Sequence, residues 1–115
     1  MKLWIDDVRP APEGYIWCKS VNEAIDCIVL RETRIGILDY DGVLSEERMK
    51  ELSINVIDID HDAGDYANDG GDYIKLLDWL EETGRSYPIH IHSMDPVGVE
   101  NMRRIIERNG WTEVK

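Results

Sequence analysis

Three short apolar runs in this chain each lead into a cluster of acids or histidines. Leu3-Trp4-Ile5 meets Asp6-Asp7, Ile54 to Ile59 meets Asp60-His61-Asp62, and the run from Pro88 closes on His92-Ser93. Runs of this length, rich in β-branched residues, read as strands, and the segments between them carry helical signals. Strands alternating with helices form a parallel sheet with right-handed crossovers, and ligands of such sheets bind beyond the carboxyl ends of the strands. All three clusters follow strands, so they are expected on one edge of one sheet.

Strands are expected at Lys2 to Ile5, Tyr15 to Cys18, Ile35 to Leu38, Ile54 to Ile59 and Pro88 to His92, with an edge strand at Trp111 to Val114. Arg9-Pro10-Ala11-Pro12 forces a loop after the first strand. Ser20-Val21-Asn22-Glu23 is a capping box, and Val21, Ala24, Ile25, Ile28 and Val29 follow at helical spacing. Asp39-Tyr40-Asp41-Gly42 reads as a turn and Ser45 to Leu52 as a short charged helix. Ala63 to Gly71, with three Gly and two Asp, reads as a loop over a strand end. A helix over Asp72 to Thr83 turns Tyr73, Leu76, Leu77 and Leu80 inward and stops at Gly84. Asp95-Pro96 starts the last helix, which buries Val99, Met102, Ile105 and Ile106, runs to about Arg108 and ends at Asn109-Gly110.

A length of 115 residues allows one hydrophobic core, hence a single domain over residues 1–115. No apolar run approaches the roughly 18 residues of a membrane span. Met1 to Ile5 meets Asp6-Asp7 at once and leaves no room for a signal peptide, so a cytoplasmic location is expected, with Cys18 and Cys27 as free thiols. The formal charge of −11, from 24 acidic against 13 basic residues, argues against broad binding to a nucleic-acid backbone or an anionic membrane. One phosphate group in a metal-filled pocket remains compatible with it.

Asp6, Asp7, Asp60 and Asp62 would bring up to four carboxylates together, and like charges so close require a cation. Oxygen ligands favour magnesium, manganese or calcium; adding His61 or His92 makes zinc plausible. His90 and His92 lie two apart on one face of a strand, with Ser93 on the other. His90, in mid-strand, reads as a satisfied core residue. His92 at the strand end and His61 suit proton transfer near neutral pH, and two imidazoles flanking a phosphate can act as base and acid in hydrolysing a cyclic phosphodiester. Val97-Gly98 opens the last helix, where free amides attract anions, although that helix start needs no ligand to explain it. Arg9 either holds a phosphate oxygen or neutralises Asp6 or Asp7.

The blocks Leu3-Trp4-Ile5-Asp6-Asp7-Val8-Arg9-Pro10, Ile59-Asp60-His61-Asp62-Ala63-Gly64 and Ile91-His92-Ser93-Met94-Asp95-Pro96-Val97-Gly98 followed by Glu100-Asn101-Met102 resemble the cyclic-phosphate-processing receiver-like domains. The resemblance covers nearly the whole chain and is weakest between about Thr33 and Ser53. It implies the α/β receiver fold, a flavodoxin-like three-layer sandwich with a mainly parallel sheet, here with a degenerate first crossover and an inserted segment near 34–53. Asp6, Asp7 and Asp60 match the receiver positions that bind magnesium, and Ser93 matches the receiver hydroxyl residue. No lysine stands where receivers need one for phosphoryl signalling, and Asp95 replaces the asparagine usual in the family motif. His61 and His92 distinguish the group, which is understood to process cyclic phosphate ends.

Ile37-Leu38-Asp39-Tyr40-Asp41-Gly42-Val43-Leu44 alone resembles the first motif of haloacid-dehalogenase-type phosphatases, but the hydroxyl residue and lysine of that family do not follow in order. The resulting expectation is a metal-assisted phosphoesterase acting on a small phosphoester or a nucleic-acid end. His61, His92 and Asp60 are its catalytic set, Arg9, Ser93 and Gly98 its phosphate-binding set, and Asp6, Asp7, Asp60 and Asp62 its ligands for magnesium or manganese, with zinc as an alternative. The rival expectation is a receiver-like domain that binds metal or phosphate without catalysis.

Overall fold

The structure, a computed structural model, describes all 115 residues, Met1–Lys115. Its strands are β1 (Lys2–Ile5), β2 (Tyr15–Cys18), β3 (Val56–Ile59) and β4 (Ile89–Ile91), all parallel in the order β2-β1-β3-β4. The helices are α1 (Val21–Tyr40), α2 (Glu46–Leu52), α3 (Ile74–Glu82) and α4 (Pro96–Asn109). The caps at Ser20, Asp95 and Gly110 are those read from the sequence, except that the Glu23 carboxylate accepts the Lys19 N–H and not that of Ser20. Ser20 Oγ accepts the Glu23 N–H, Asp95 Oδ1 accepts the Val97 N–H, and Gly110 ends α4 in the left-handed region at φ 66°.

The direction of each crossover decides where the helices lie. β2→α1→β3, β3→α3→β4 and β4→α4→Glu113 all step the same way along the sheet, and right-handedness therefore puts α1, α3 and α4 on one face. Their buried residues, among them Ala24, Ile28, Leu77, Leu80 and Met102, form one core with Leu3, Ile5, Ile57, Ile59 and Ile89. α2 lies against α1. The step β1→β2 runs the opposite way and is the only one that would put a helix on the second face. Asp6 to Gly14 is too short and too proline-rich to make one, which is the degenerate crossover expected. The receiver-like α/β sheet is thus present, with loop rather than helix on its second side.

Ile35 to Leu38 is not a strand, and Asp39 to Gly42 is not a free turn. α1 continues to Tyr40, and Asp41 caps it before Gly42 turns at φ 72°. Aliphatic residues around Gly36 favour a strand locally, but a strand needs a neighbour, whereas the helix already begun at Val21 gives each new residue a backbone partner. The segment near 34–53 is therefore the projecting half of α1 followed by α2, and Asp39 ends a helix, not a strand as the dehalogenase motif requires. Gly64–Asn68, expected to be irregular, forms a short 3-10 turn, and the edge strand at Trp111 to Val114 is reduced to a single bridge between Glu113 and Ile89. No helix is long and apolar enough to cross a membrane.

α1 is tied to the segment before β4 by Glu32. Arg85 donates from Nη2 at 2.8 Å and from Nε at 3.0 Å, and the Tyr87 hydroxyl donates to the same carboxylate. Burial alone would raise the Glu32 carboxyl, but the bonds from Arg85 and Tyr87 outweigh it and hold the pKa below its ordinary value. A lowered folded pKa contributes stability above the unfolded value of about 4.3 and loses it as the pH falls through the folded value. Glu32→Gln is expected to cost about 1 kcal/mol at pH 7, discounted for partial exposure. Urea unfolding at pH 7 and at successively lower pH should show the gap to the wild type closing.

Candidate functional site

Register and alternation set up the site before any loop contributes. Trp4 pairs with Trp17 on one side and Asp58 on the other, and Asp58 pairs with His90, so these side chains share the face without helices. Two residues further along β1, β3 and β4 stand Asp6, Asp60 and His92, on the same face and just past the strand ends. The ladder extends that far: Asp6 N–H donates to Cys18 O at 3.2 Å, Asp60 N–H to Ile5 O at 2.9 Å and His92 N–H to Ile59 O at 2.9 Å. The three site residues therefore inherit the rigidity of the sheet.

Asp6, Asp60 and His92 each offer a ligand atom, and those atoms all lie within 4.8 Å of one another. Asp6 is fully buried. Its Oδ1 accepts the Val8 and Arg9 N–H groups, both at 3.0 Å, and its Oδ2 lies 2.9 Å from His92 Nε2. His92 Nδ1 lies 2.5 Å from Asp58 Oδ1. One imidazole thus sits between two buried carboxylates. Burial opposes its protonation, but the bonds to Asp58 and Asp6 outweigh burial and raise its pKa, while Asp6 is held low against its own burial by the Arg9 amide and by His92. Trp4 stacks on the His92 ring, with centroids 3.9 Å apart and planes 3° from parallel. The Trp4 indole N–H is anchored on Arg9 O at 2.8 Å and that of Trp17 on Asp6 O at 2.7 Å.

The other expected residues fall around this cluster rather than within it. Asp7 lies beside it: burial, with the like charges of Asp6 and Asp60, pushes its carboxyl up. A Cβ on Gly64 would come 2.3 Å from Asp7 Oδ2, so only glycine lets the loop close there. Asp62 is turned away to accept the Gly64 N–H at 2.9 Å. His61 follows Asp60 directly, its N–H bonded to Asp60 Oδ1 at 2.7 Å, and its Nδ1 faces Asp95 Oδ2 at 3.5 Å. A Cβ on Gly98 would lie 2.4 to 2.8 Å from His61 ring atoms. What Gly98 supplies is room for that ring. Ser93 Oγ accepts the Asp95 N–H at 3.1 Å and lines a separate hollow along α4 with Glu100 and Arg103. Arg9 is exposed and reaches the His92 carbonyl from Nη1 at 3.4 Å. His90 is not a core residue: it is half-buried on the helix-free face, with Nδ1 2.7 Å from Val114 O.

The sequence analysis gave Asp58 and Trp4 no part in the site, and Tyr73, expected inward, has a hydroxyl whose partner it did not foresee. The signal for Asp58 was an acid inside an otherwise apolar strand, a placement costly without a partner, two residues before Asp60 and so on its face. Tyr73 is fully buried and donates its hydroxyl to Lys19 O at 2.7 Å; burial, then the charges of Asp7 and Asp6, raise its pKa.

The donor set fits a divalent cation by its chemistry. It comprises two carboxylates and an imidazole whose second nitrogen is already held by a carboxylate, the arrangement by which proteins orient metal-binding histidines. Without a cation the cluster is also self-consistent, since no buried side-chain polar atom lacks a partner.

No curated protein and no solved structure matches the chain. A family model described as the cyclic-phosphate processing receiver domain matches residues 1–108. That span takes in all four strands, α1 to α3, nearly all of α4, and every residue of the Asp6, Asp60 and His92 cluster with its Asp58 support, and the chain therefore belongs to the cyclic-phosphate processing receiver domain family.

Proposed function

We propose that the domain hydrolyses a cyclic phosphodiester, opening a 2′,3′-cyclic phosphate to a monoester, at the strand-end cluster. The observation that carries this is the convergence of Asp6, Asp60 and His92 at one sheet edge, in a member of a family named for cyclic-phosphate processing. Water attacks phosphorus, one ring P–O bond breaks, the proton of the water passes to a base, and the released ribose oxygen takes a proton from an acid. The product is a phosphomonoester beside a free hydroxyl.

Asp6, Asp60 and His92 Nε2 are the residues that would hold a divalent metal, with Asp7 as the neighbouring carboxylate. A bound metal there supplies Lewis-acid polarisation of the phosphoryl oxygens and lowers the pKa of water. Two oxygens and one nitrogen favour manganese or zinc over magnesium. His92, held through both nitrogens, is assigned to the metal and not to proton transfer. That task goes to His61, whose Nε2 has no protein partner and whose ring is fixed by Gly98 and Asp95. Arg9 at the loop tip is the cation available to the phosphate.

Turnover of 2′,3′-cyclic nucleotides with manganese or zinc is the test. His61→Ala is expected to lower kcat by about 10²- to 10⁴-fold, the range of a general acid or base, while leaving metal affinity unchanged. Metal binding with no turnover in the wild type would reject hydrolysis and leave a binding domain.

A further inference from the structure

The candidate site stands at one end of a bare strip of sheet. Below Asp6, Asp60 and His92 on the same face come Trp17, Trp4, Asp58 and His90 in register, and below those Tyr15, Lys2 and Val56. Near the site the Asp6 to Gly14 loop reaches over this strip, with Arg9 bonded to Trp4. Further down it opens into a groove of about 430 Å³ whose lining includes Lys2, Tyr15, Val56, Asp58, His90 and Lys115. That volume lies within the range of about 300 to 1,000 Å³ typical of small-ligand pockets.

Cations border this strip although the molecule is acidic. The chain carries −11 overall, yet three of its five lysines, Lys2, Lys19 and Lys115, border this strip. Lys2 Nζ lies 5.3 Å from the Tyr15 ring centroid and Lys19 Nζ 4.5 Å from that of Trp17. The nearby acids are already engaged, Asp58 by His92 and Glu113 by Arg103, with Lys115 Nζ 3.8 Å from the latter carboxylate. Aromatic rings beside cations on an open sheet are suited to a nucleobase and its phosphate: the rings stack on any base, and the ammonium groups meet the backbone charge.

We propose that this strip is a subsite for the ribonucleotides that precede a terminal 2′,3′-cyclic phosphate, with a base against Tyr15 and backbone phosphates near Lys2 and Lys115. It rests on the reading of the strand-end cluster as the cyclic-phosphate site and extends it from a mononucleotide to an RNA end. The four steps from the Asp6 row to the Lys2 row span about 13 Å at ~3.3 Å per residue. That is several times the ~3.4 Å stacking step of a nucleic-acid strand, so the groove lies within reach of an oligonucleotide and beyond that of the terminal phosphate alone. The net charge of −11 confines binding to this strip and keeps the protein off bulk nucleic acid.

Two measurements separate the subsite from the catalytic proposal. In the first, a 5′-labelled ribotrinucleotide ending in a linear 3′-phosphate is titrated by fluorescence anisotropy, which needs no turnover. Binding is expected to weaken with salt, to fall about tenfold or more in Lys2→Glu/Lys115→Glu and in Tyr15→Ala, and to be unchanged in Lys50→Glu on α2, with thermal melts checking that each variant folds. In the second, kcat/KM for a trinucleotide ending in a 2′,3′-cyclic phosphate is compared with that for the cyclic mononucleotide; the trinucleotide should be favoured about tenfold, and the double lysine variant should remove only that advantage. Lysine-dependent binding without turnover of either substrate would sustain the subsite and reject the hydrolysis. Turnover of both substrates equally, with no lysine-dependent binding, would overturn the subsite and leave the hydrolysis standing.

Discussion

Asp6→Ala is expected to lower the unfolding free energy by about 3 kcal/mol or more, the cost of leaving buried partners of a charged group unpaired. The side chain is fully buried and serves three donors at once: the Val8 and Arg9 amides on Oδ1 and the His92 imidazole on Oδ2. An alanine strands all three. It would also leave His92 against Asp58 alone and remove the turn that starts the Asp6 to Gly14 loop. Asp6→Asn isolates the charge, because the amide oxygen can still accept from Val8 and Arg9 while its NH₂ cannot accept from His92 Nε2. Chemical unfolding of both variants should rank them wild type above Asn above Ala. An alanine variant as stable as the wild type would mean that the loop finds other acceptors.

Asp58→Ala is expected to weaken manganese or zinc binding by about 10- to 100-fold, the usual cost of removing the carboxylate behind a metal-binding histidine. Asp58 is not itself among the residues that would hold a cation. It holds His92 Nδ1 at 2.5 Å, which leaves Nε2 directed at Asp6, and with a cation bound it would keep the ring proton on Nδ1 so that Nε2 could ligate. Trp4, stacked on the ring, fixes its plane but not its rotation about that plane's axis, so the stack cannot replace the carboxylate. Asp58→Asn, whose oxygen can still accept from Nδ1–H, should fall between the wild type and alanine. Calorimetric titration with each metal measures the effect, and equal affinities in all three proteins would show that His92 is not a ligand.

Much of the site was legible because strand ends are local events. Asp6, Asp60 and His92 each follow an apolar run by one residue, and in a parallel sheet all such positions share an edge. What was not legible followed from faces and partners. Within Ile54 to Ile59 the alternation sets Asp58 on the face opposite Ile57 and Ile59, but nothing local announced that His92 folds back to meet it. Asp62 and Asp60 look equivalent as neighbours of His61, yet the close turn at Gly64 takes Asp62 out of reach of the cluster. Gly98 looked like an open helix start, and its real constraint, the His61 ring against its Cα, comes from a segment far away in sequence.

The sequence by itself determined the parallel α/β class, the helix caps and the edge on which acids and histidines gather, because hydrophobic period, capping residues and strand ends are properties of contiguous residues. Only the tertiary structure decided that α1 runs on through Ile35 to Leu38, that one face of the sheet is left without helices, and that His92 lies between Asp6 and Asp58. Each of these depends on which neighbour a residue finds across the fold. A strand forms only beside another strand, a crossover of fixed hand chooses the face its helix covers, and an imidazole takes up a buried position where carboxylates distant in sequence compensate its charge.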